Sequence, residues 1–281
     1  MTIQKAVITA AGRNQRNLPL QTLIDRDGVE QTVLRVLIEE VLSAKIDQLC
    51  IIVAPGDEIT YARAAGERAG IIRFIQQSPP LGYAQAVYSA RDFTAGDPFL
   101  HLVGDHLYVG DHEESSAQQI VRAAAQQNCA ISSVQATREN IIGHYGTIGG
   151  QKLSGHDHLY RVETVMEKPT PTEAEQHLIV AGMRAGHYLC FFGMHVLTPA
   201  LMDILGRQLH DQPSASLSSA LAELARREQY LALVSTHRRY DLGEKYGLLR
   251  AQLALALSGR EREEVLSQLL EVLAARKLET L

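Results

Sequence analysis

The first half of the chain alternates short, mainly apolar runs with segments of helical period. Apolar runs at 6–8, 49–53, 71–75, 98–103 and 129–135 are separated by stretches at 32–44, 58–69, 82–92 and 115–127 whose apolar positions recur at helical spacing. A strand that is apolar along its whole length must be covered on both faces, and helices returning between such strands provide the cover. The pattern predicts an α/β chain with a mostly parallel sheet and helices on both faces. Ligands of such sheets bind beyond the carboxyl ends of the strands, and Gly12, Gln77 and Asp105 all fall there. Three strand ends therefore point to one crevice.

The first of these ends is Ala10-Ala11-Gly12-Arg13-Asn14-Gln15-Arg16. Small side chains leave the backbone amides open to an approaching anion, and Arg13 and Arg16 add positive charge. An ordinary strand exit with surface arginines is the competing reading. Neither the G-x-G-x-x-G spacing of dinucleotide sites nor the G-x-x-x-x-G-K-[ST] spacing of P-loops is present.

Beyond residue 135 the texture changes. Gly143, Gly146, Gly149 and Gly150 punctuate short β-branched segments up to Val165, as expected of a β-rich excursion carrying a substrate pocket. Its His156-Asp157-His158 cluster lacks a third ligand at a supporting distance and is expected to be a solvated turn. Pro169 and Pro171 mark a break. A strand at 186–196, helices at 199–205 and 217–227 and a strand at 230–235 follow, and the chain from 244 onward is helical, with Gly259 separating 246–258 from 260–277. These two amphipathic stretches suit a helical cap or a homo-oligomer contact. The division expected is 1–243, with its substrate-binding portion near 140–200, and a helical extension over 244–281.

With 281 residues, 46% of them hydrophobic, the chain can bury one large core. A net charge of -5 argues against nucleic acid as a partner, so an anionic substrate needs a local cationic pocket. Cys50, Cys129 and Cys190 lie apart in apolar runs and are expected to be buried thiols of a reducing compartment. The opening residues lack a basic region followed by a long apolar one, and no apolar run is long enough to span a membrane. A cytoplasmic protein without membrane contact is expected.

Set side by side, several short segments carry a resemblance. They are Ala10-Ala11-Gly12 with Arg16 and Leu18-Pro19; Gln77-Ser78-Pro79-Pro80-Leu81-Gly82-Tyr83-Ala84-Gln85-Ala86; Gly104-Asp105; Tyr145-Gly146-Thr147-Ile148; Glu167-Lys168-Pro169; and Tyr240-Asp241-Leu242-Gly243-Glu244-Lys245. In order and spacing the set resembles the sugar-phosphate nucleotidyltransferases, in particular the bacterial UTP glucose-1-phosphate uridylyltransferases and their thymidylyltransferase relatives. The resemblance implies a Rossmann-like nucleotidyltransferase fold. It also implies a reaction in which a sugar 1-phosphate oxygen displaces pyrophosphate from a nucleoside triphosphate, UTP or dTTP being favoured, with Mg2+ as cofactor. By the same match Asp105 and Asp241 hold the metal, Arg16 and Lys168 bind phosphates, and Ala11, Gly12, Gln77 and Gly82 bind the nucleotide. Gly146 and Glu167, with Lys168, bind the sugar. Asp105 taken alone also suits a strand-end turn, and Asp241 a helix N-cap.

Three departures stand out. Asn14 and Gln15 replace the second glycine and the threonine of the family's opening signature, and the loop lysine that touches triphosphate falls near Gln21. Losing such a cation weakens transition-state stabilisation by about 2 to 4 kcal/mol unless Arg13 or Arg26 takes its place. The family's Leu-Thr-Asp-Ala segment reads Leu217-Ser218-Ser219-Ala220, expected to serve packing. A protein of this fold that binds a nucleotide or nucleotide sugar without transferring it is the alternative.

Overall fold

The computed structural model describes residues 1–110 and 113–278, the last three without their side chains. In chain order its strands are β1 (Lys5–Thr9), β2 (Thr22–Ile24), β3 (Glu30–Thr32), β4 (Gln48–Val53), β5 (Ile72–Gln76), β6 (Phe99–Val103) and β7 (His106–Val109). They continue as β8 (Ala130–Arg138), β9 (Thr147–Lys152), β10 (Leu159–Met166), β11 (His187–Leu197), β12 (Tyr230–Val234) and β13 (Arg238–Asp241). The helices are α1 (Val33–Ser43), α2 (Glu58–Ala65), α3 (Tyr83–Tyr88), α4 (Arg91–Thr94), α5 (Ser116–Gln127), α6 (Pro171–His177), α7 (Pro199–Asp211), α8 (Leu217–Arg227), α9 (Gly247–Leu257) and α10 (Arg262–Leu278).

Nine strands form one mixed sheet in the order β5-β4-β1-β6-β11-β8-β12-β10-β9. The β5-β4-β1-β6 half is parallel, and β11 joins it antiparallel to both β6 and β8. The chain leaves β1 toward β4 and β5 on one side and returns to β6 on the other, so the order reverses beside β1 and opens a crevice at its carboxyl end.

Period-two alternation builds a core on each face. Ala6 and Ile8 of β1 pack into one cluster with Leu34, Ile38 and Ile51, while Val7 enters the other with Val87, Leu201 and Leu221. Several helices carry their own start signals. Thr32 caps α1 by accepting from the Arg35 amide at 3.1 Å, and both Ser115 and Thr170 form capping boxes, the latter with Pro171 in the first turn. Cys50, Cys129 and Cys190 are buried free thiols. Among the described residues no helix is long and apolar enough to cross a membrane.

The elements depart from expectation at identifiable places. The helix at 58–69 ends at Ala65, because Gly66 turns to a φ of 59° and a 3-10 turn follows. The segment 82–92 divides into α3 and α4. Two ribbons absent from the sequence reading, β2–β3 and β7–β13, are built from very short strands in which charged and polar residues hide any alternation. The exposed turn at His156-Asp157-His158 is held by an ion pair of Asp157 with Lys152 at 3.0 Å.

His101 of β6 and His195 of β11 lie directly opposite each other within this core. Burial pushes both imidazoles down, that of His195 to about 3. Their folded values lie below the unfolded one near 6.5, so the stability of the neutral rings is present above that pH and is lost as pH falls toward 3. Lowering the pH from 7 to 5 should therefore cost roughly 2 kcal/mol through His195 alone. Urea unfolding at both values measures this. A His195→Gln variant, which takes up no proton, should lose part of the pH dependence, and an unchanged dependence would remove His195 as its source.

Candidate active site

The two aspartates, far apart in sequence, meet through backbone pairing. Strand β13 runs antiparallel to β7 with Asp241 opposite His106, and the Leu242 amide donates to the Asp105 carbonyl at 2.9 Å. Asp105 follows β6 and is almost fully buried, while Asp241 closes β13. Helix α9 starts only after Tyr246, so Asp241 is not its cap. One ligand atom each from Asp105, His106 and Asp241 lies within 4.8 Å of the others.

The two carboxyl groups sit in unequal surroundings. Burial raises the pKa of Asp105, with the negative charge of Asp241 adding to it and His106 opposing it. Burial also pushes Asp241 upward, but His106, the Gly243 amide at 2.8 Å from Oδ1, and Arg239 outweigh it and hold the group below the usual carboxylate range. His106 Nε2 lies 3.5 Å from Asp241 Oδ2. Behind the imidazole stands Gly193, at a φ of 83°; a Cβ there would come within 2.5 Å of His106 Nδ1. The glycine is what leaves room for the ring.

The loop after β1 approaches from the other side. Gly12 accepts from the Gln15 and Arg16 amides, and the Tyr61 hydroxyl donates to the Arg16 carbonyl at 2.6 Å, so the turn is pinned from below. Ala11, Gly12, Arg13 and Gln15 line the cavity. Arg16 does not; it pairs with Asp57 at 3.4 Å. Gln21 donates to the Asn17 carbonyl, and Arg26 to the Ser258 carbonyl, both away from the lining. Of Arg13 and Arg26, only Arg13 lines the cavity.

At the carboxyl end of β5, Gln77 is buried and donates to the Gly82 carbonyl at 2.8 Å and to Gln85 Oε1 at 2.6 Å. Its amide hydrogens are thus spent within the protein, and its carbonyl oxygen is left to accept. Gly82 precedes α3 at a φ of 114°, a conformation that side chains avoid, with open space where a Cβ would stand.

The opposite pole joins the β-rich excursion to α8. Adjacent residues of a strand face opposite ways, so Glu167 and Lys168 can share a site only if the strand ends before them. Strand β10 ends at Met166, Lys168 turns to a φ of 48°, and both residues line the cavity. Glu167 accepts a hydrogen bond from Ser218, which lines the cavity with Leu217 and Leu221. The segment at 217–220 therefore serves the cavity as well as the packing expected of it. A Cβ on Gly146 would meet the Phe191 ring at 2.6 Å and Ser218 Oγ at 2.8 Å.

Arg239 had no signal in the sequence beyond its place two residues before Asp241. It is buried, stacks 3.8 Å from the Tyr145 ring centre and donates to the Phe191 carbonyl at 2.5 Å. The Tyr145 hydroxyl in turn donates to Glu244 at 2.9 Å. Sequence reasoning also passed over Tyr83, His106, Phe191 and His195. All four line the same cavity of about 440 Å³, which holds Arg13, Lys168 and Arg239 as cations and Asp105, Glu167 and Asp241 as carboxylates.

Known proteins resemble this chain over nearly its full length. A UTP–glucose-1-phosphate uridylyltransferase 2 of Streptococcus pyogenes serotype M1 is 25% identical, with 91% of each chain covered. A UTP–glucose-1-phosphate uridylyltransferase 1 of serotype M3 is also 25% identical, over 93% of this chain and 91% of the relative. Among solved structures, a UTP-bound UGPase from Acinetobacter baumannii superposes with a TM-score of 0.74 at 20% identity, covering 96% of this chain and 99% of that one. A UDP-glucose pyrophosphorylase complexed with UDP-glucose superposes with a TM-score of 0.72 at 20% identity, covering 89% and 97%. These structural likenesses carry the fold. The family described as nucleotidyl transferase matches residues 5–257, and the chain belongs to that family.

Proposed function

We propose that the protein joins a nucleoside triphosphate, UTP or dTTP by preference, to a sugar 1-phosphate, releasing pyrophosphate and forming a nucleotide sugar. The observation that carries this reading is the convergence of Asp105, His106 and Asp241 in one cavity with Arg13, Lys168 and Arg239. In the reaction a sugar-phosphate oxygen bonds to the α-phosphorus as the bond to the β-phosphate oxygen breaks, so the protein needs no nucleophile of its own. It needs charge placed around oxygens that repel one another.

Asp105 and Asp241 would hold a divalent cation, Mg2+ by family expectation, with the His106 imidazole in reach of the same ion. The donor set fits: two carboxylates and a ring nitrogen, mostly buried, share one side of the cavity. Such a cation, when bound, neutralises phosphate charge as a Lewis acid. Arg13 and the open amides of Ala11 and Gly12 suit the triphosphate end. Gln77 offers its carbonyl to a pyrimidine N–H, and Gly82 lets the ring lie close to the backbone. Lys168 suits the sugar phosphate, and the Glu167 carboxylate accepts from sugar hydroxyls while Ser218 holds it in position.

A second reading, binding without efficient transfer, is favoured by one feature. Arg16 is tied to Asp57 and no lysine stands in the loop. The two readings separate in a panel of nucleoside triphosphates crossed with sugar 1-phosphates, followed by pyrophosphate release with Mg2+ present. Turnover supports the transferase; silence with measurable nucleotide-sugar binding supports the binder.

Asp105→Asn and Asp241→Asn, both nearly isosteric, should each lower kcat by about 100-fold or more with the melting temperature little changed. Chelation of divalent ions should have the same effect on the unsubstituted protein, and unchanged turnover in either variant would take that residue out of the mechanism. Arg13→Ala should raise KM for the triphosphate, or lower kcat, by more than Arg16→Ala does, because only Arg13 lines the cavity. Steady-state kinetics with the triphosphate varied decide this, and a larger effect at Arg16 would reverse the assignment.

A further inference from the structure

Below the cavity, five neighbouring strands each place a polar side chain on the same face of an otherwise apolar sheet. They are Thr9 on β1, His101 on β6, His195 on β11, Ser132 on β8 and Tyr230 on β12. Thr9 Oγ1 lies 3.2 Å from His101 Nε2, the two imidazole centres are 5.7 Å apart, and Ser132 Oγ lies 2.5 Å from His195 Nδ1. The Tyr230 hydroxyl meets the same Ser132 oxygen. Of this band, Thr9 and His195 reach the cavity wall, and His101, Ser132 and Tyr230 stay beneath it.

The band has a direction. Tyr230 is buried, and among the described residues Ser132 Oγ is the hydrogen-bond partner of its hydroxyl. A buried phenol must donate its proton, so Tyr230 donates to Ser132 and Ser132 donates to His195 Nδ1. The ring proton of the neutral imidazole then sits on Nε2. That nitrogen has no hydrogen-bond partner among the described residues and is not sealed by them, so it opens to the cavity that the ring lines. The ring meets Phe191 edge-on at 5.2 Å, and Phe191 borders Gly146, whose other neighbour Ser218 holds Glu167. His195 therefore looks toward the pole that the proposed function gives to the sugar.

We propose that His195 Nε2–H is a fixed, uncharged hydrogen-bond donor that reads one hydroxyl oxygen of the sugar and thereby helps to set which sugar the cavity accepts. The inference rests on the nucleotidyltransferase reading. An uncharged donor suits a hydroxyl oxygen, because the cationic Lys168 and Arg239 are the stronger partners for phosphate. Its rigidity comes from below, where Ser132 and Tyr230 hold the tautomer.

The test is calorimetric binding of UDP-glucose and its 2-, 3-, 4- and 6-deoxy analogues to the full chain. One analogue should bind about 3- to 10-fold more weakly than UDP-glucose, the range of a single neutral hydrogen bond. In His195→Leu that one penalty should shrink to near unity while the other analogues keep theirs. His195→Gln, whose amide nitrogen reaches toward the place of Nε2, should retain most of it, with melting curves establishing that both variants are folded. A merely structural histidine would weaken all five ligands alike, and that result, or unaltered discrimination in His195→Leu, overturns the assignment. Absence of nucleotide-sugar binding by the unsubstituted protein overturns the underlying reading instead.

Discussion

The site depends on a ribbon of backbone hydrogen bonds. Pairing of β13 with β7, extended by the bond from the Leu242 amide to the Asp105 carbonyl, brings residues 238–242 back beside the end of β6. Without it Asp241, His106 and Asp105 would share neither a face nor a depth. The close approach also creates the electrostatic difference between the two carboxyl groups, since Asp241 gains His106 and the Gly243 amide while Asp105 takes the burial. A non-local ribbon this short holds only because larger elements fix both of its ends. The main sheet presents β6, and α9 packs against the ribbon and is latched to β2 by Gln252, which donates to and accepts from the Ile24 backbone.

Much of the fold was legible because its strands are apolar on both faces and its helices carry capping residues. Runs such as Cys50-Ile51-Ile52-Val53 leave little choice of structure. The glycine, amide and carboxylate at the ends of β1, β5 and β6 were legible for the same reason, because strand ends in such a sheet share one edge. The Arg238-Arg239-Tyr240-Asp241 strand was not, for its pairing is determined by residues more than a hundred positions away and its side chains show no alternation. Arg239 was invisible on that account: charged side chains are ordinarily exposed, and its burial is explained by the Tyr145 ring, the Phe191 carbonyl and the nearby Asp105 and Asp241 carboxyl groups. His195 was hidden by its apolar neighbours. Ser218 was hidden in a segment whose leucines and alanines read as packing.

The opening loop is where the sequence differs from the signature expected of it, and the geometry shows what stands there instead. The backbone turn is braced by Tyr61, and Arg13 stands on its cavity side while Arg16 is turned to Asp57. A guanidinium grips phosphate oxygens in pairs where an ammonium offers a point charge. On the proposed reading, Arg13 would meet the triphosphate by that paired geometry.

Lys168 closes the account of how sequence and site bear on each other. Its left-handed backbone is one that glycine or asparagine adopts with least strain, and holding a long side chain there costs roughly 1 kcal/mol. The chain tolerates this because the turn is what carries a cation off the end of β10 and into the cavity beside Glu167. Conformational economy and electrostatics thus ask for different residues at one position. Glycine or asparagine at this position would relax the backbone and remove one of the cavity's cations, so fold stability and cavity charge trade against each other there.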